Sequence, residues 1–533
     1  MQTQTSKEAI LAADTYLGIE LGSTRIKMTL VDAKHQPLAT GSYAWQNRLE
    51  DGIWTYRLEE AMEGLRACYG ALRDQVLERY GATLTRVAAM GVSGMMHGYL
   101  PLDAAGAQLA PFRTWRNTMT GEESAFLRTH FGYNIPQRWS IAHLYQCICQ
   151  DQPHVPHIRH LTTLAGYIHW RLTGEWSMGI GEASGMFPVD VATGGFHGEM
   201  LDSFDHLIAH KGYPWRIRQI LPQVKLAGEG AGFLTEAGAA LLDETHALRA
   251  GIPLCPPEGD AQTGMVATNS VRPGTGNVSA GTSIFAMAVL EHPLAKVYPQ
   301  INVVTTPAGK PVAMVHCTNC TGDLDAWVRL FGEAAALFGP ALDPDELYGR
   351  LYSQALQGDE DCGKLLSYNY YSGESLTKLD QGRPLFVRLP ESRFNLANFM
   401  RVQLFAALST LRLGMDILRK EEGVDLYAIA GHGSFFKVEE VGQRFMAAAL
   451  DTPVTVSATA GEGGPWGMAA LAGYMVAKEP GQSLGDYLEE RVFAHLQTHT
   501  LAPRPEDAAS FQAYFARFQA GLPVERAAVE TLL

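Results

Sequence analysis

An acidic residue at position 260 stands where an irregular loop meets a predicted helix. The loop before it, Cys255-Pro256-Pro257-Glu258-Gly259, contains two prolines and a glycine, which disfavour regular structure. Residues 261–268 are small and apolar enough to begin a buried helix. A carboxylate at a helix N-terminus lies near the positive end of the helix dipole and is expected to stay ionised. Two interpretations are open: Asp260 caps the helix, or it is a general base held on a rigid element.

Two glycine-containing turns, one in each half of the chain, have the composition of phosphate-binding turns. Residues 16–32 and 277–290 both have the pattern of a strand, a tight turn and a strand, and the turns align as Gly22-Ser23-Thr24 and Gly281-Thr282-Ser283. Such turns offer backbone N–H groups and hydroxyl donors to phosphate oxygens. One turn is weak evidence because its composition is common. Two, at the head of two halves, predict a duplicated fold that binds one polyphosphate.

Length and composition restrict the class of protein. A chain of 533 residues is too long for one core, so two or more domains are expected. The formal net charge of -14 argues against nucleic acid or an anionic membrane surface as a partner. Residues 1–14 lack the apolar stretch of a secretory signal, and no apolar run reaches membrane-spanning length. These features predict a cytoplasmic protein without a membrane or nucleic-acid partner.

The cysteines predict reduced and mostly buried thiols, because seven of them are scattered through a large chain. Cys317 and Cys320 form a CxxC pair, but the sequence offers no second pair of ligands at a spacing suited to zinc. The histidines at 154, 157 and 160 lie beside prolines, which favours a surface turn over a metal site.

Strands alternate with helices along the chain, which predicts an α/β fold with a mixed sheet. The pattern predicts strands at 87–93, 99–103, 112–117 and 426–430. Helices are predicted at 61–80, 158–173, 201–213, 323–338, 343–353, 395–422 and 438–450, and again after residue 482.

With these features, the chain resembles the FGGY family of carbohydrate kinases. The resemblance extends from about residue 16 to 477 and depends on short motifs, each weak alone but specific in their common order. The Met-His-Gly piece at 96–98 is most similar to that of xylulokinases. Beside the two turns, the motifs are Ser93-Gly94-Met95-Met96-His97-Gly98, Gly259-Asp260, Tyr371-Ser372-Gly373-Glu374, Gly431-His432-Gly433-Ser434 and Glu462-Gly463-Gly464-Pro465-Trp466-Gly467.

The resemblance implies a duplicated, actin-like and ribonuclease-H-like fold of two domains with an interdomain cleft, as in actin, hexokinase and the heat-shock chaperone ATPases. Residues 15–270 would form an N-terminal sugar-binding domain and 271–480 a C-terminal nucleotide-binding domain. Residues 481–533 would form a C-terminal helical extension. A small-molecule sugar, ATP and Mg²⁺ would be the ligands, and a homodimer is left open.

The resemblance also assigns roles to individual residues. Asp260 would take the proton from the attacking sugar hydroxyl, and Glu20 and Asp260 would lie at the metal ion. The sugar would contact Met96, His97, Trp115, Asn117, Asp260 and Gln262. ATP would contact Gly22, Ser23, Thr24, Gly281, Thr282, Ser283, Gly431, His432, Gly433 and Ser434. Without the resemblance, His97, Met96 and Trp115 have a packing interpretation, and residues 431–434 are a plain strand-to-helix turn.

The chain departs from the family pattern at two positions. Asn117 stands where related kinases have Asp in a Trp-x-Asp loop; it keeps an acceptor oxygen, gains donors and loses charge. After Glu374, Ser375-Leu376-Thr377 replaces an Arg-Thr-Pro-like run. Asn117 is therefore expected to face the sugar and to read a hydroxyl pattern of its own.

The predicted function is ATP-dependent phosphorylation of a sugar hydroxyl by in-line transfer, with a ketopentose such as xylulose or ribulose as the first expectation. Two alternatives stay open: a kinase of another ketose or polyol, and a non-catalytic sugar or nucleotide sensor on the same fold. A chaperone-like ATPase is disfavoured, because the chain carries the Met-His-Gly sugar motif and shows no peptide-binding domain.

Overall fold

The polypeptide folds into two compact units, and each unit takes residues from more than one stretch of the chain. A computed structural model describes residues 2–457, 463–494 and 496–532. The first unit comprises Met1–Arg272, Val303–Val312 and Glu462–His495. The second comprises Pro273–Asn302, Ala313–Gly461 and Leu496–Leu533. Among the described residues, no helix is long and apolar enough to cross a bilayer.

This division differs from the predicted boundaries in two places. The helix Gly463–Ala477, predicted within the nucleotide domain, belongs to the first unit, where its residues 464–474 are buried. The stretch predicted as a separate extension after residue 480 is divided between the units at His495 and Leu496. Its last helix is not an appendage, because Phe511, Phe515 and Phe518 lie in the core of the second unit.

The strands are numbered in chain order over the described residues. They are β1 Thr15–Leu21, β2 Arg25–Asp32, β3 Pro37–Ala44, β4 Arg48–Glu50, β5 Ile53–Thr55, β6 Ala89–Gly94, β7 Leu100–Leu102, β8 His160–Thr162, β9 Ser177–Gly179, β10 Val189–Asp190, β11 Gly195–Phe196, β12 Gln223–Lys225, β13 Glu258–Gly259, β14 Thr275–Ala280, β15 Ile284–Val289, β16 Ile301–Thr305, β17 Pro311–Cys317, β18 Leu366–Tyr368, β19 Leu385–Val387, β20 Ala428–His432, β21 Val454–Ser457 and β22 Thr498–Leu501.

The helices are numbered in the same way. They are α1 Gln2–Leu11, α2 Leu58–Tyr80, α3 Gly121–Phe131, α4 Ser140–Cys149, α5 Leu164–Thr173, α6 Ile180–Ala183, α7 Gly198–Leu207, α8 Ile217–Ile220, α9 Glu236–Leu242, α10 Asp260–Ala267, α11 Gly322–Ala336, α12 Pro344–Ala355, α13 Leu396–Glu421, α14 Val441–Leu450, α15 Gly463–Ala477, α16 Leu484–Tyr487 and α17 Pro505–Thr531.

The main sheet of the first unit has the strand order β13-β6-β1-β2-β3. Strands β1 and β2 form an antiparallel hairpin, and β6 and β13 continue the sheet parallel to β1. Helix α15 packs on β1, β6 and α10. The register places Glu20 beside Ser93 and Ser93 beside Glu258, so the three parallel strands end together.

The sheet of the second unit repeats this order. Its strands run β16-β17-β15-β14-β20-β21-β22, and the middle five correspond in sequence to β3-β2-β1-β6-β13. Strands β14 and β15 form the antiparallel hairpin, and β20 and β21 run parallel to β14. The prediction of a duplicated α/β fold whose halves each open with a hairpin is therefore confirmed.

Most predicted elements occur in the structure, but three stretches differ. Residues 112–117 are not a strand: only Arg113 bridges Tyr99, and the chain then turns, with the N–H of Asn117 donating to Thr114 O. Residues 158–163 are not helical, because β8 pairs with β7 before α5 begins. Residues 498–501 pair with β21 as a strand inside the stretch predicted to be helical.

The cysteine prediction agrees with the structure. Six of the seven thiols are buried, and Cys149 alone is exposed; all are free. Burial raises the pKa of the Cys320 and Cys317 thiols above the usual range, which makes them poor nucleophiles.

Candidate active site

Three loops of the first unit start from one edge of its sheet. Strands β1, β6 and β13 are parallel, and their last residues, Leu21, Gly94 and Gly259, lie side by side in the register. The residues that follow are the turn 22–24, the loop 95–98 and Asp260. The carboxyl ends of parallel strands are where open α/β sheets bind ligands. This topology thus brings together sequence motifs that lie far apart in the chain.

Asp260 is the first residue of α10, and the residue at the cap position is Gly259. The Asp260 carboxylate accepts a hydrogen bond from the backbone N–H of Met96 at 3.2 Å. The residue is partly exposed. Burial raises the pKa of Asp260, while nearby N–H groups, including that of Met96, and the Arg138 guanidinium act in the opposite direction. The helix dipole is therefore not the only influence on the pKa of Asp260. The Asp260 side chain is also hydrogen-bonded to the loop at 95–98.

Glu20 lies close to Asp260, at the end of β1. Burial raises the pKa of Glu20 to about 7, and the charge of Asp260 adds to this shift while Lys27 opposes it. The first turn of α15 packs tightly here, because a Cβ atom on Gly464 would overlap Glu20 Oε1. Glu462, the first residue of the predicted motif at 462–467, lies outside the described residues. Two neighbouring carboxyls that repel one another are a site that a hard cation would stabilise.

Aromatic side chains fasten the turn at residues 22–24. Trp45 Nε1 donates to Gly22 O at 2.7 Å, and the Tyr56 hydroxyl donates to Ser23 O at 2.5 Å. Trp115 Nε1 donates to Ser23 Oγ at 3.3 Å. Trp115, predicted to contact sugar, is therefore joined to the turn predicted to bind phosphate.

The loop at residues 95–98 has an unusual backbone. His97 adopts a φ of 73°, which is uncommon for a residue with a side chain, and Gly98 follows with a φ of 113°. Met96 and His97 are both buried, and His97 Nδ1 lies 3.3 Å from Gly185 O. Strained backbone of this kind persists where the surroundings hold it in place, and it concentrates at functional sites.

The structure gives Asn117 a different role from the predicted one. The residue is buried, and its Oδ1 accepts from Trp54 N at 2.9 Å. Its Nδ2 donates to Trp54 O at 2.8 Å and to Thr114 O at 3.0 Å. The side chain thus joins two backbone segments, and its acceptor and both donors are used inside the fold. The geometry does not support Asn117 as a reader of sugar hydroxyls.

Gln262 likewise faces the interior. It is fully buried, and its Nε2 donates to Thr305 O at 3.2 Å, within the segment that β16 contributes to the first unit. Its Oε1 lies beside Gly259, the last residue of β13, because a Cβ atom on Gly259 would overlap it. Met96 Cγ lies against the same glycine, so Gln262 is close to the loop at 95–98, and its contact with sugar stays a prediction.

The second unit brings its two predicted nucleotide segments together. Strands β14 and β20 pair in parallel, with Ser279 beside His432. A Cβ atom on Gly281 would lie 3.7 Å from Ser434 Oγ, so the turn at 281–283 and the segment at 431–434 are in contact. Gly433 has a φ of 103° and lies against Ala280 O, where a side chain would collide.

His432 does not carry charge in this arrangement. Burial lowers the pKa of His432 to about 4, so the imidazole is neutral at physiological pH. A phosphate at this segment would therefore meet backbone N–H groups and hydroxyls and not an imidazolium.

Three charged residues near Asp260 were not predicted as site residues from the sequence: Arg138, Glu182 and Glu258. Arg138 precedes α4, whose first residue Ser140 donates to Gly98 O, and the Asp260 charge opposes the lowering of the Arg138 pKa by burial. Glu258 Oε2 accepts from Glu182 N at 2.9 Å, and both carboxyls are buried. Burial raises the pKa of Glu258 to about 8. No local signal marks Arg138 or Glu182, since only the fold brings them to Asp260.

Comparison with known families decides the assignment. The N-terminal domain of the FGGY family of carbohydrate kinases matches residues 15–267, and its C-terminal domain matches residues 276–476. The chain belongs to the FGGY family. It is therefore an ATP-dependent carbohydrate kinase, with the two-domain fold of that family.

Individual FGGY proteins are similar to this chain along most of their length. The chain is 23% identical to the xylulose kinase of Haemophilus influenzae over 419 residues, which are 76% of this chain and 80% of that protein. The crystal structure of ligand-bound xylulose kinase from Lactobacillus acidophilus has a TM-score of 0.79 at 16% identity, covering 97% of this chain and 99% of that one. Gluconate kinase from the same organism has a TM-score of 0.78 at 16% identity, covering 97% and 98%. At these identities the structural likeness shows the fold and not the substrate.

Proposed function

We propose that this FGGY kinase transfers the γ-phosphoryl group of ATP to a hydroxyl of a ketopentose, with Asp260 as the general base. The observation that carries the proposal is the position of Asp260 at the common end of β1, β6 and β13. There its carboxylate is hydrogen-bonded to the loop of Met96 and His97. Phosphoryl transfer requires mainly that the nucleophile is positioned and the charge neutralised. A carboxylate fixed by one backbone N–H has a second oxygen with which to orient a sugar hydroxyl.

Mg²⁺ fits the pair formed by Glu20 and Asp260. Among the described residues, no group of three or more histidine, cysteine or acidic side chains is arranged to hold a metal alone. Mg²⁺ in kinases is commonly bound by one or two carboxylates together with phosphate oxygens and water, which suits this pair. When bound with ATP, the ion would neutralise charge on the phosphates. The chain itself would supply the carboxylates and the backbone N–H groups and hydroxyls of Ser23 and Thr24, since the N–H of Gly22 donates to Arg25 O.

A ketopentose such as xylulose or ribulose is the proposed substrate. The similar proteins with curated names are xylulose kinases, and the Met-His-Gly loop is present at the site. Similar folds are named gluconate kinase and glycerol kinase, so the panel of sugars must extend to aldonates and polyols.

The test is a coupled assay of ADP release with the full-length protein, Mg·ATP and a panel of D- and L-xylulose, D- and L-ribulose, hexuloses, gluconate and glycerol. We expect one ketopentose to stimulate turnover well above the rest. Stimulation by an aldonate or polyol alone would overturn the ketopentose assignment. Sugar binding by calorimetry without turnover would identify a sensor and overturn the catalytic role of Asp260.

A further inference from the structure

Glu374 is a buried carboxylate of the second unit that has no role in the proposed reaction as described above. Its exposed fraction is 1%, and it follows Tyr371-Ser372-Gly373 in one of the family motifs. Burial raises the pKa of Glu374 to about 7. Among the described residues, its Oε1 has no hydrogen-bond partner. Burying a carboxyl in this way is costly, so a purely apolar packing role would be better served by another side chain.

The second oxygen of Glu374 holds one particular loop, residues 318–321, which we term the support loop. Glu374 Oε2 accepts from Thr318 N at 2.9 Å and from Asn319 Nδ2 at 3.4 Å. Asn319 Oδ1 in turn accepts from Tyr371 N at 2.9 Å and Ser372 N at 3.0 Å. The support loop and the segment 371–374 are therefore joined in both directions.

The support loop is bonded to the predicted phosphate turn. Cys320 N donates to Thr282 O at 2.9 Å, and Thr321 N donates to Gly281 O at 3.0 Å. These bonds fix the two carbonyls of the turn on the side of the support loop. Because a peptide plane that presents its carbonyl to one side presents its N–H to the other, they also orient the N–H groups of Thr282 and Ser283.

We propose that Glu374 is a positioning residue for nucleotide phosphate: it holds the support loop, and the support loop holds the turn at 281–283 in the shape that receives the phosphate. The inference rests on the proposed function, since it takes the turn as part of the ATP site. Loss of the carboxylate frees Thr318 and Asn319, loosens the bonds to Gly281 and Thr282, and weakens the grip on Mg·ATP. The sugar-binding residues of the first unit are not part of this chain of bonds.

A set of variants separates this role from general stability. Glu374→Ala removes both acceptors, whereas Glu374→Gln keeps an oxygen that can accept from Thr318 N. Glu525→Ala is the matched control: Glu525 has an exposed fraction of 0%, accepts a backbone bond from Arg383 N and has an unpartnered Oε2 within the described residues. It makes no hydrogen bond to the support loop among those described.

The measurement is the dissociation constant of Mg·ADP for each full-length protein by isothermal titration calorimetry, which needs no knowledge of the sugar. We expect Glu374→Ala to weaken Mg·ADP about tenfold, while Glu374→Gln and Glu525→Ala stay within about threefold of the wild type. KM for ATP should rise in Glu374→Ala, with KM for the best sugar of the panel unchanged. If Glu374→Ala does not fold, Asn319→Ala replaces it, with the same expectation.

A folded Glu374→Ala or Asn319→Ala that binds Mg·ADP as the wild type does would overturn the inference. So would an equal loss of affinity in Glu525→Ala, because it would reduce the effect to general destabilisation. Failure of the proposed function has a different signature, since it would appear in the wild-type protein itself, as turnover with an aldonate or polyol alone or as no turnover with any sugar of the panel.

Discussion

The carboxylate of Asp260 accepts a hydrogen bond from the backbone N–H of Met96 at 3.2 Å, and 164 residues separate the two in the chain. The bond joins the proposed base to the loop in which His97 has a φ of 73°. The N–H of Met96 binds Oδ1, which orients the carboxylate toward this loop. The proposed general base and the loop expected to contact the sugar are thus held at a fixed separation.

Asp260→Asn should reduce the rate of phosphorylation by about 100-fold or more, because an amide cannot accept the proton but keeps an oxygen for the N–H of Met96. The melting temperature should change little, and so should the affinity for ADP measured without Mg²⁺, because Asp260 is proposed to contact the ion and not the nucleotide. Asp32→Asn is the matched control, since Asp32 accepts from Lys34 N and Gln36 N in a turn that Asn also adopts. Turnover above about a tenth of the wild-type rate in Asp260→Asn would exclude the role of general base.

Gly281→Val should weaken Mg·ADP about tenfold or more without unfolding the protein. A Cβ atom at Gly281 makes only an ordinary contact with Ser434 Oγ at 3.7 Å, so the fold accepts it, but the branched methyl groups would occupy the space expected for phosphate. Calorimetry with Mg·ADP measures the effect. Gly349→Val serves as the control, because a Cβ atom there meets nothing within 4 Å. Equal affinity in the two variants would remove the turn at 281–283 from the nucleotide site.

Asn117→Asp should lower the free energy of unfolding by about 1–3 kcal/mol, because a carboxylate would face the carbonyl oxygens of Trp54 and Thr114 where the amide now donates. Denaturant titration gives this value. Asn395→Asp is the control: Asn395 caps α13 by accepting from Asn398 N, a position where Asp is equally favourable. A stable Asn117→Asp with an altered ranking of sugars would restore the original expectation that Asn117 faces the substrate.

Glu258 should contribute to stability below about pH 4.5, and this contribution should be lost as the pH rises to about 8. Its folded-state pKa is raised to about 8, so in this range the unfolded chain releases a proton that the folded chain keeps. Folding therefore takes up a proton, and a higher pH opposes it until both states are ionised above about pH 8. Glu258→Gln should reduce the slope by about 1.4 kcal/mol per pH unit.

Chemical denaturation at a series of pH values measures this slope. Glu59→Gln, which removes an exposed carboxyl of the same unit, is the control for the loss of a charge. An unchanged slope in Glu258→Gln would mean that Glu258 is ionised in the folded protein. Glu182, whose pKa burial also raises well above its usual range, should maintain part of the slope in the variant.

Sequence patterns predicted the fold where local chemistry and topology agree, as in the hairpins of β1 and β14. They failed where a side chain's partner lies elsewhere in the fold. Asn117 stands at a position that the family motif assigns to sugar binding, but its hydrogen-bond partners are the backbones of Trp54 and Thr114. Arg138 carries no local signal, and its proximity to Asp260 arises only from the docking of α4 on the loop at 95–98.

The boundary of the first unit was also beyond the reach of sequence patterns. The apolar helix α15 could be buried in either half of the chain, and its position in the sequence favoured the second. Its close packing on β1, β6 and α10, including the approach of Gly464 to Glu20 and of Gly18 to Pro465 O, places it on the first sheet.

The chain returns to the first unit after residue 303 and again after residue 463, and this has a consequence for how the protein is made. On the ribosome, β1 and β6 emerge early, but α15, which covers them, is synthesised only when about nine tenths of the chain exists. Until then the apolar face of the first sheet lacks its cover and is open to chaperones or to misassembly. A fragment that stops near residue 270 should for the same reason be insoluble, whereas co-expression with a fragment that carries α15 should recover it.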